Sequence, residues 1–366
     1  MPVQILSDPQ IIQPYLSDES KVTGQAQSIS FPECEAEIRE VLLAVRQAHQ
    51  TLTVQGARTG ITGGAVPTGG HILNLSKLNR ITGLGWDAER NCFLLSVQPG
   101  VQLNQLNKAI AEKSFDTTGW SAQAQSALRR FQQSGAWFLP ADITETTASI
   151  GGMVSTNASG AKSYRYGSMR QHVLGLRLLL ANGKSLSLRR GEQFAQDRQF
   201  SLRLDDGSQI TGQLPAYRMP QVKNASGYYV HENMDLIDLF IGSEGTLGIV
   251  TEVTLALAPQ PGFTWGMMAF FTREQNALAY VHALRALPQA EQPAAIEFFD
   301  QACLALIRSE QEQLHAHQNI PALSPAAQSA IYTEFTAESL PERDEAINQV
   351  ADLLNAAGGD EQATWI

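Results

Sequence analysis

Hydrophobic residues in the first 260 positions recur either at helical spacing or in short runs typical of strands. In the segment 32–50, Ile38, Val41 and Val45 fall on one face of a helix. Asn182-Gly183 favours a tight hairpin turn between two strands. The predicted helices cover 32–50, the region from Leu103 to Ile110, and 122–132, and the predicted strands cover 52–55, 72–75, 93–97, 176–180, 185–188 and 249–255.

The pattern changes after a short linker at 259–262, which contains two prolines and a glycine. Longer helical segments then alternate with strands, which is typical of helices on one face of a sheet. No further strand is predicted after the last helix. The predicted strands are 266–271, 294–298 and 330–335, and the predicted helices are 274–287, 300–314 and 342–356.

The composition narrows the class of protein. A chain of 366 residues with a hydrophobic fraction of 43% is long enough for about two globular domains. Its net charge of −10 argues against a nucleic-acid partner. Cys34, Cys92 and Cys303 form neither a metal-binding nor a disulfide pattern, and no secretory signal is visible. We therefore expect a cytoplasmic protein without a bound metal, and peripheral contact with the inner membrane stays open.

Three glycine-rich stretches carry the candidate chemistry. The first, Arg58 to Gly64, directly follows a predicted strand, and the others are 150–160 and 242–248. Glycine lacks a Cβ atom, so its backbone can approach a ligand closely and adopt positive φ. Successive N–H groups in such a turn can form a concave nest for phosphate oxygens. Together the three stretches predict a long, phosphate-bearing cofactor.

Other glycine patterns fit known motifs less well. The run 83–88 matches G-x-G-x-x-A by letter, but a strand follows it instead of the helix that a dinucleotide fingerprint requires. Gly183-Lys184-Ser185 resembles the end of a P-loop, but Leu178 stands where the first glycine belongs. No G-x-S-x-G nucleophile motif is present, so acyl transfer has no support.

Five stretches together resemble a known family. The segments 56–67, 138–160, 165–167, 173–176 and 242–252 occur in the order and spacing of the FAD-binding domain of the vanillyl-alcohol oxidase/p-cresol methylhydroxylase (PCMH) flavoproteins. The branch they resemble includes D-lactate dehydrogenase and the glycolate oxidase flavin subunit. Residues 264–356 are more loosely similar to the substrate domain of that family.

The resemblance implies an α+β fold, with a two-lobed PCMH-type FAD-binding domain followed by an incomplete α+β substrate (cap) domain. The implied division is an N-terminal segment at 1–27, the FAD-binding domain at 28–258, and the substrate domain at 264–366, which is expected to be truncated at its C-terminus.

The resemblance also implies which residues hold FAD. Backbone amides around Thr59 to Gly64 are expected to bind the pyrophosphate, and Arg58 to add a charge-assisted hydrogen bond. For the later turn residues, simple turn formation is the alternative interpretation. The implied cofactor-binding residues are Arg58, Thr59, Gly60, Ile61, Thr62, Gly63, Gly64, Pro140, Ser149, Gly151, Gly152, Ser155, Asn157, Gly160, Tyr166, Gly167, Glu244, Gly245, Ile249 and Val250.

Some members of the family attach FAD covalently through a histidine in the first loop. Positions 59–64 contain no histidine, so we expect non-covalent FAD. His71 follows two glycines and is predicted to be a turn residue.

The implied activity is FAD-dependent oxidation of a 2-hydroxy acid such as D-lactate or glycolate, by hydride transfer to flavin N5. The family's catalytic histidines lie in a His-x-Gly-Asp-Gly-Asn-type motif that this sequence lacks. The catalytic residues therefore stay unassigned. Lys223 is a candidate for facing the active site, and a solvated loop lysine is the alternative.

The missing motif leaves a second function open. The chain is then an FAD-binding electron-transfer or complex-forming subunit without its own substrate chemistry. The expected partners are a small-molecule hydroxy acid and an undetermined electron acceptor, for which a quinone, a cytochrome or an Fe–S protein are the candidates.

Overall fold

The computed structural model describes residues 3–141, 143–313 and 323–365, so Asp142 and the end of the predicted helix 300–314 lie outside the described residues. The strands are β1 (Ser28–Ser30), β2 (Leu52–Gln55), β3 (His71–Asn74), β4 (Ile81–Asp87), β5 (Cys92–Val97), β6 (Trp137–Phe138), β7 (Val173–Leu179), β8 (Ser185–Arg189), β9 (Gln199–Arg203), β10 (Gln209–Gln213), β11 (Ile249–Ala256), β12 (Ala258–Pro259), β13 (Phe263–Phe271), β14 (Ala295–Phe299), β15 (Ser329–Ala337) and β16 (Asp360–Trp365).

The helices are α1 (Pro9–Ile12), α2 (Glu35–Gln47), α3 (Leu103–Glu112), α4 (Ala122–Gln133), α5 (Ile150–Ser155), α6 (Ser163–Tyr166), α7 (Met169–His172), α8 (Ile237–Phe240), α9 (Glu274–Ala286), α10 (Gln301–Gln313) and α11 (Leu340–Ala356). The six predicted helices begin and end within about three residues of the predicted positions, and the short helices α1, α5, α6, α7 and α8 were not predicted.

The chain divides into two units. The first unit comprises Met1–Ala158 and Ser168–Pro259, and the second comprises Ser159–Gly167 and Gln260–Ile366. The short segment 159–167 therefore leaves the first unit and belongs to the second.

Two sheets organise the first unit. The strands β1, β3 and β2 form a parallel sheet with β3 in the middle, and β4, β5, β11, β7 and β8 form an antiparallel sheet in that order. The predicted hairpin joins β7 to β8, where Gly183 adopts φ +82° and Leu179 pairs with Ser185. The glycines of the run 83–88 lie in or beside β4, so they open no helix.

Helix α2 packs its predicted apolar face against the parallel sheet. Ile38, Val41 and Val45 are buried in one cluster with Leu73 and Leu75. A polar contact fixes the helix to the antiparallel sheet as well, because the Glu35 carboxylate at its first turn accepts a hydrogen bond of 2.7 Å from Arg177 Nε. Helix α2 therefore connects the parallel sheet, which carries the first glycine-rich loop, to the antiparallel sheet.

The second unit contains an antiparallel sheet in the order β14-β15-β13-β16. Helices α9 and α11 supply Tyr280 and Leu354 to a core that includes Ile331 and Phe335 of β15. The last strand, β16, pairs with β13 and follows α11 directly. The expectation that no strand follows the last helix was therefore wrong.

His71 was also predicted incorrectly, because it begins strand β3 and is 1% exposed. Its ring nitrogens lie 2.8 Å from the hydroxyls of Ser28 and Ser30 on the neighbouring strand. Burial lowers the pKa of His71 to about 4.

Candidate cofactor-binding site

A cavity of about 250 Å³ lies in the first unit, and all three glycine-rich stretches contribute to its walls. The sequence-predicted residues among its lining are Arg58, Thr59, Gly60, Thr62, Gly64, Ser149, Gly151, Gly152, Ser155, Glu244, Gly245, Ile249 and Val250.

The first loop leaves β2 and presents backbone amides without partners. The N–H group of Ala57 donates to Ser149 Oγ, and that of Ala65 donates to Asp18. Between them, no backbone N–H group of residues 58–64 donates a hydrogen bond to any other described residue. Because unpaired amides are costly unless water or a ligand satisfies them, this loop is suited to a ligand with several acceptor oxygens.

Two glycines of this loop leave open space where other residues have a side chain. A Cβ atom added at Gly60 or Gly64 would meet no heavy atom within 4 Å, and both residues line the cavity. Gly63 differs, because its φ of +77° strains any L residue. The open cradle at Gly60 and Gly64 is what close approach of a diphosphate requires.

The second stretch forms the short helix α5 instead of the expected loop. Ser149 caps it, and Ser149 Oγ accepts from Gly152 N at 3.4 Å. Gly151 donates to the Pro99 carbonyl at 2.8 Å, and a Cβ atom at Gly151 would lie 2.5 Å from Pro99 Cβ. Tight packing therefore requires the glycine at 151, whatever ligand the cavity binds.

The third stretch is tied to the end of α5 by two backbone hydrogen bonds. Gly242 N donates to Val154 O at 2.9 Å, and Glu244 N donates to Ser155 O at 2.8 Å. Gly242, Glu244 and Gly245 all adopt positive φ, with values of +84°, +52° and +76°. The loop thus turns sharply and brings its backbone to the cavity wall.

A buried ion pair stabilises the backbone that leads into this third stretch. Arg170 contacts Asp238 Oδ1 at 3.2 Å and donates to the carbonyl of Ile241 at 2.6 Å. Its guanidinium also lies 4.1 Å from the Tyr229 ring centroid. Burial lowers the pKa of Arg170, and the charge of Asp238 opposes that shift. The pair therefore fixes the backbone just before Gly242.

Seven predicted residues do not line the cavity: Ile61, Gly63, Pro140, Asn157, Gly160, Tyr166 and Gly167. The Ile61 side chain is 78% exposed. Asn157 is buried, and its Oδ1 accepts hydrogen bonds from Ser168 Oγ at 2.9 Å and Arg170 N at 3.0 Å. This contact closes a turn, which accounts for Asn157 without a ligand.

Gly160, Tyr166 and Gly167 belong to the segment 159–167 of the second unit. Gly160 N donates to Ser163 Oγ at 2.9 Å, and Gly167 adopts φ +80° at the end of α6. Both glycines therefore shape the turns around this short helix. Their contact with FAD stays a prediction.

The sequence did not single out several lining residues, among them Asp18, Gln55, Pro99 and Glu145. Pro99-Gly100 follows β5 and is a sequence typical of a turn. Its contact with Gly151 is seen in the structure and has no signal in the local sequence. Asp18 carried no signal, because it lies 40 residues before the loop that it contacts.

The charge of the lining side chains does not explain anion binding. The charged side chains among the described residues of the cavity wall are one cation, Arg58, and three carboxylates, those of Asp18, Glu145 and Glu244. Hydrogen bonds from Thr147 lower the pKa of Glu145, so this group stays ionised. An anion bound here therefore depends on the backbone amides of the first loop.

The proton acceptors on the same wall are the carboxylates of Asp18, Glu145 and Glu244. No His, Cys, Tyr or Lys is found among the described lining residues. Lys223 is exposed and lies outside the lining.

The described residues also contain no group of three His, Cys, Asp or Glu side chains placed to hold a metal. Of the described helices, none combines the length and the apolar character that crossing a membrane demands.

Comparison with known proteins identifies the domain. A family model described as an FAD binding domain matches residues 26–128 and 121–189. D-lactate dehydrogenase of Anaerostipes hadrus is 27% identical over 98% of this chain and 62% of its own length. For glycolate oxidase subunit GlcD of Bacillus subtilis the identity is 27%, over 74% of this chain and 45% of the relative. The chain thus spans about half of the curated relatives that it matches.

Solved structures agree on the fold. Two crystal forms of alkyldihydroxyacetonephosphate synthase superpose with TM-scores of 0.61 and 0.65 at 16% identity. They cover 98% and 99% of this chain, and 57% and 62% of their own chains. The predicted α+β fold of PCMH type with a second domain is thereby confirmed. This chain therefore carries an FAD-binding domain, and its cofactor is FAD.

Proposed function

We propose that the chain is the FAD-binding part of an oxidoreductase that oxidises a 2-hydroxy acid of the D-lactate or glycolate type. The observation that carries the proposal is the row of unpaired amides at 58–64 on the wall of the cavity. It fits the diphosphate of FAD, and the names of the relatives point to hydroxy-acid substrates. Mitochondrial D-2-hydroxyglutarate dehydrogenase of Bos taurus, 27% identical over 84% of this chain and 46% of its own length, adds a third acid of this class.

The proposed binding is non-covalent. Covalent attachment requires a nucleophilic side chain, and the described lining residues include no His, Cys or Tyr. The amides of 59–64 hold the diphosphate, while Gly60 and Gly64 leave room for its oxygens. Precipitation of the yellow protein with trichloroacetic acid tests this point: released flavin supports it, and flavin in the pellet contradicts it.

The proposed chemistry divides between cofactor and protein. When bound, FAD supplies the two-electron acceptor for a hydride from the substrate α-carbon. The protein must bind the substrate carboxylate with a cation and remove the hydroxyl proton with a base. The bases on the described cavity wall are carboxylates, which repel the carboxylate of the substrate, so we place this role on residues outside the wall.

The second unit is our proposed substrate domain, and its polar groups support that role. Lys162 Nζ lies 3.2 Å from Glu334 Oε2, and Tyr332 OH donates to Glu334 Oε1 at 2.7 Å. Arg165 donates to Thr336 Oγ1 at 3.1 Å. Two cations therefore lie over one face of β15, which suits recognition of an organic acid.

Anaerobic titration tests the proposed activity. Glycolate, D-lactate, L-lactate and D-2-hydroxyglutarate are added in turn, and flavin absorbance is followed. We expect at least one of these acids to bleach the flavin stoichiometrically. If dithionite reduces the flavin but none of the acids does, this chain does not by itself oxidise these acids.

A second function is favoured by the absence of histidine from the described cavity wall. In that case the chain is an FAD-binding electron-transfer or complex-forming subunit, with the substrate chemistry on another polypeptide. The same titration distinguishes the two. Bleaching by an isolated acid supports the oxidoreductase. Flavin that none of the acids reduces, but that a quinol, a reduced cytochrome or a reduced Fe–S protein does reduce, supports the subunit.

A further inference from the structure

Residues 14–20 lie outside both the matched FAD-binding model, which begins at residue 26, and the predicted domain at 28–258. The structure nevertheless joins them to the first glycine-rich loop. We infer that residues 14–20 form an N-terminal clasp that holds the loop 58–65 in its diphosphate-binding shape, with Asp18 as a positioning residue. The inference rests on the proposed non-covalent binding of FAD, which acid precipitation tests separately.

Arg58 connects the start of the loop to the clasp. Its φ of +62° is an uncommon conformation for a residue with a side chain. The guanidinium donates to the carbonyls of Pro14 and Ser17, and it lies 4.6 Å from the Tyr15 ring centroid. These contacts stabilise a backbone conformation that Arg58 would otherwise rarely adopt. The clasp thus fixes the direction in which the loop leaves β2.

Gln55 connects the clasp to the other end of the loop. It is 1% exposed, and its Nε2 donates to Tyr15 O at 2.8 Å and to Ala65 O at 2.7 Å. Tyr15 in turn packs edge-on against Phe31, with ring centroids 5.2 Å apart. One buried amide therefore ties the end of the loop to a clasp residue that is itself anchored in the unit.

Asp18 connects the clasp to the end of the loop at the cavity wall. It is 7% exposed, its Oδ1 accepts from Ser20 N at 2.9 Å, and its Oδ2 accepts from Ala65 N at 3.4 Å. A carboxylate beside a diphosphate is repulsive, so Asp18 is unsuited to bind the phosphates directly. Its hydrogen bond instead occupies the Ala65 amide, while the preceding amides stay available to the ligand.

Three substitutions of Asp18 separate the effect of its hydrogen bonds from the effect of its charge. Asp18→Asn keeps one acceptor oxygen, which can serve either Ala65 N or Ser20 N, and removes the negative charge. Asp18→Ala removes both acceptors. Asp18→Ser keeps an oxygen near Ser20 N, as serine commonly does in such turns, but is too short to reach Ala65. If the alanine variant fails to fold, the serine variant provides the same comparison.

Asp8 is the matched control. Its Oδ1 also accepts from the amide two residues on, Gln10 N at 2.9 Å, and it caps α1. Among the described residues it makes no contact with the loop 58–65. Asp8→Ala therefore removes a comparable local hydrogen bond in the same N-terminal region without touching the proposed clasp.

The test is the rate of FAD release from purified holoprotein after dilution, followed by flavin fluorescence. We expect release to be roughly tenfold faster in Asp18→Ala and Asp18→Ser, as loss of a hydrogen bond to a charged group suggests. Asp18→Asn should release FAD more slowly than Asp18→Ala, and Asp8→Ala should match the parent. Equal rates in all variants, or equally fast release from Asp18→Asn and Asp18→Ala, would overturn the inference.

Discussion

The first loop and helix α5 both carry glycines at the cavity wall, but for opposite reasons. At Gly60 and Gly64 an added Cβ atom meets open space, whereas at Gly151 it meets Pro99 at 2.5 Å. The first set of glycines leaves room for something that is not protein, and Gly151 leaves room for the protein itself. Glycine-rich sequence alone therefore does not identify a ligand contact, and the surroundings of each missing side chain do.

The largest expected effect comes from filling the open cradle. Gly64→Val places a branched side chain at the cavity wall without a clash in the protein. We expect FAD affinity to fall roughly a thousandfold, about 4 kcal/mol, because at least two charge-assisted hydrogen bonds are lost. Thermal unfolding of the apoprotein should stay unchanged. Gly63 is a poorer site for this test, because its φ of +77° would strain the loop by itself.

Gly191→Val is the control for the position of the added side chain. Gly191 also has open space around its missing Cβ atom, but it lies outside the cavity lining. Its φ of +90° makes the substitution costly for stability, so it should lower the apoprotein melting temperature and leave FAD affinity unchanged. A Gly64→Val protein that still binds FAD with the parent affinity would remove the first loop from the diphosphate site.

Acid should lower the free energy of unfolding of the protein through protonation of His71. Its folded pKa of about 4 lies below the ordinary value of 6.5, so the unfolded chain binds more protons between these pH values. Stability is fully present above pH 6.5 and falls as the pH drops toward 4, by about 3 kcal/mol in total. Urea unfolding at several pH values measures this slope.

His71→Gln is the matched variant for the acid experiment, because glutamine keeps one donor and one acceptor but does not titrate. The variant should lose part of the slope between pH 6.5 and 4. An identical slope in parent and variant would show that other groups cause the acid sensitivity.

The packing glycine should behave in the opposite way to the open ones. Gly151→Ala gains helix propensity, at most about 1 kcal/mol, but forces its methyl group against Pro99. We expect a net loss of about 2 kcal/mol in stability of the apoprotein, or several degrees in melting temperature. Calorimetry of the apoprotein is the measurement, and an unchanged melting temperature contradicts the packing explanation.

The smallest expected effect concerns the junction between loop and clasp. Arg58→Lys keeps the positive charge but loses the paired contacts to the Pro14 and Ser17 carbonyls. We expect FAD to bind about fivefold more weakly, about 1 kcal/mol. Arg46→Lys on the exposed side of α2 is the control. If Arg58→Lys and the parent bind FAD equally, Arg58 acts through its charge alone.

Local patterns were sufficient for much of the fold. Strand β2 covers the predicted residues 52–55, and the hairpin at Asn182-Gly183 forms as expected, since both depend on neighbouring residues. β16 was missed because the chain from Asp360 is polar at first and follows two glycines, so no run of β-branched residues marks it. Its pairing with β13 depends on a partner strand 90 residues earlier.

The candidate site shows the same limit. The three glycine-rich stretches were visible in the sequence, because the main chain itself supplies the contacts there. Helix α5 was not, since glycine disfavours helices. The Ser149 cap, the contact with Pro99 and the burial of Ile150, Met153 and Val154 stabilise this one. The burial of His71 depends on serines of β1, and the role of Asp18 on Ala65, so neither had a local signal.

A crystal structure of the FAD-loaded protein tests the central claim most directly. The account predicts diphosphate oxygens within about 3.2 Å of several backbone nitrogens between residues 59 and 64. A diphosphate bound elsewhere, with these amides facing only water, would contradict it.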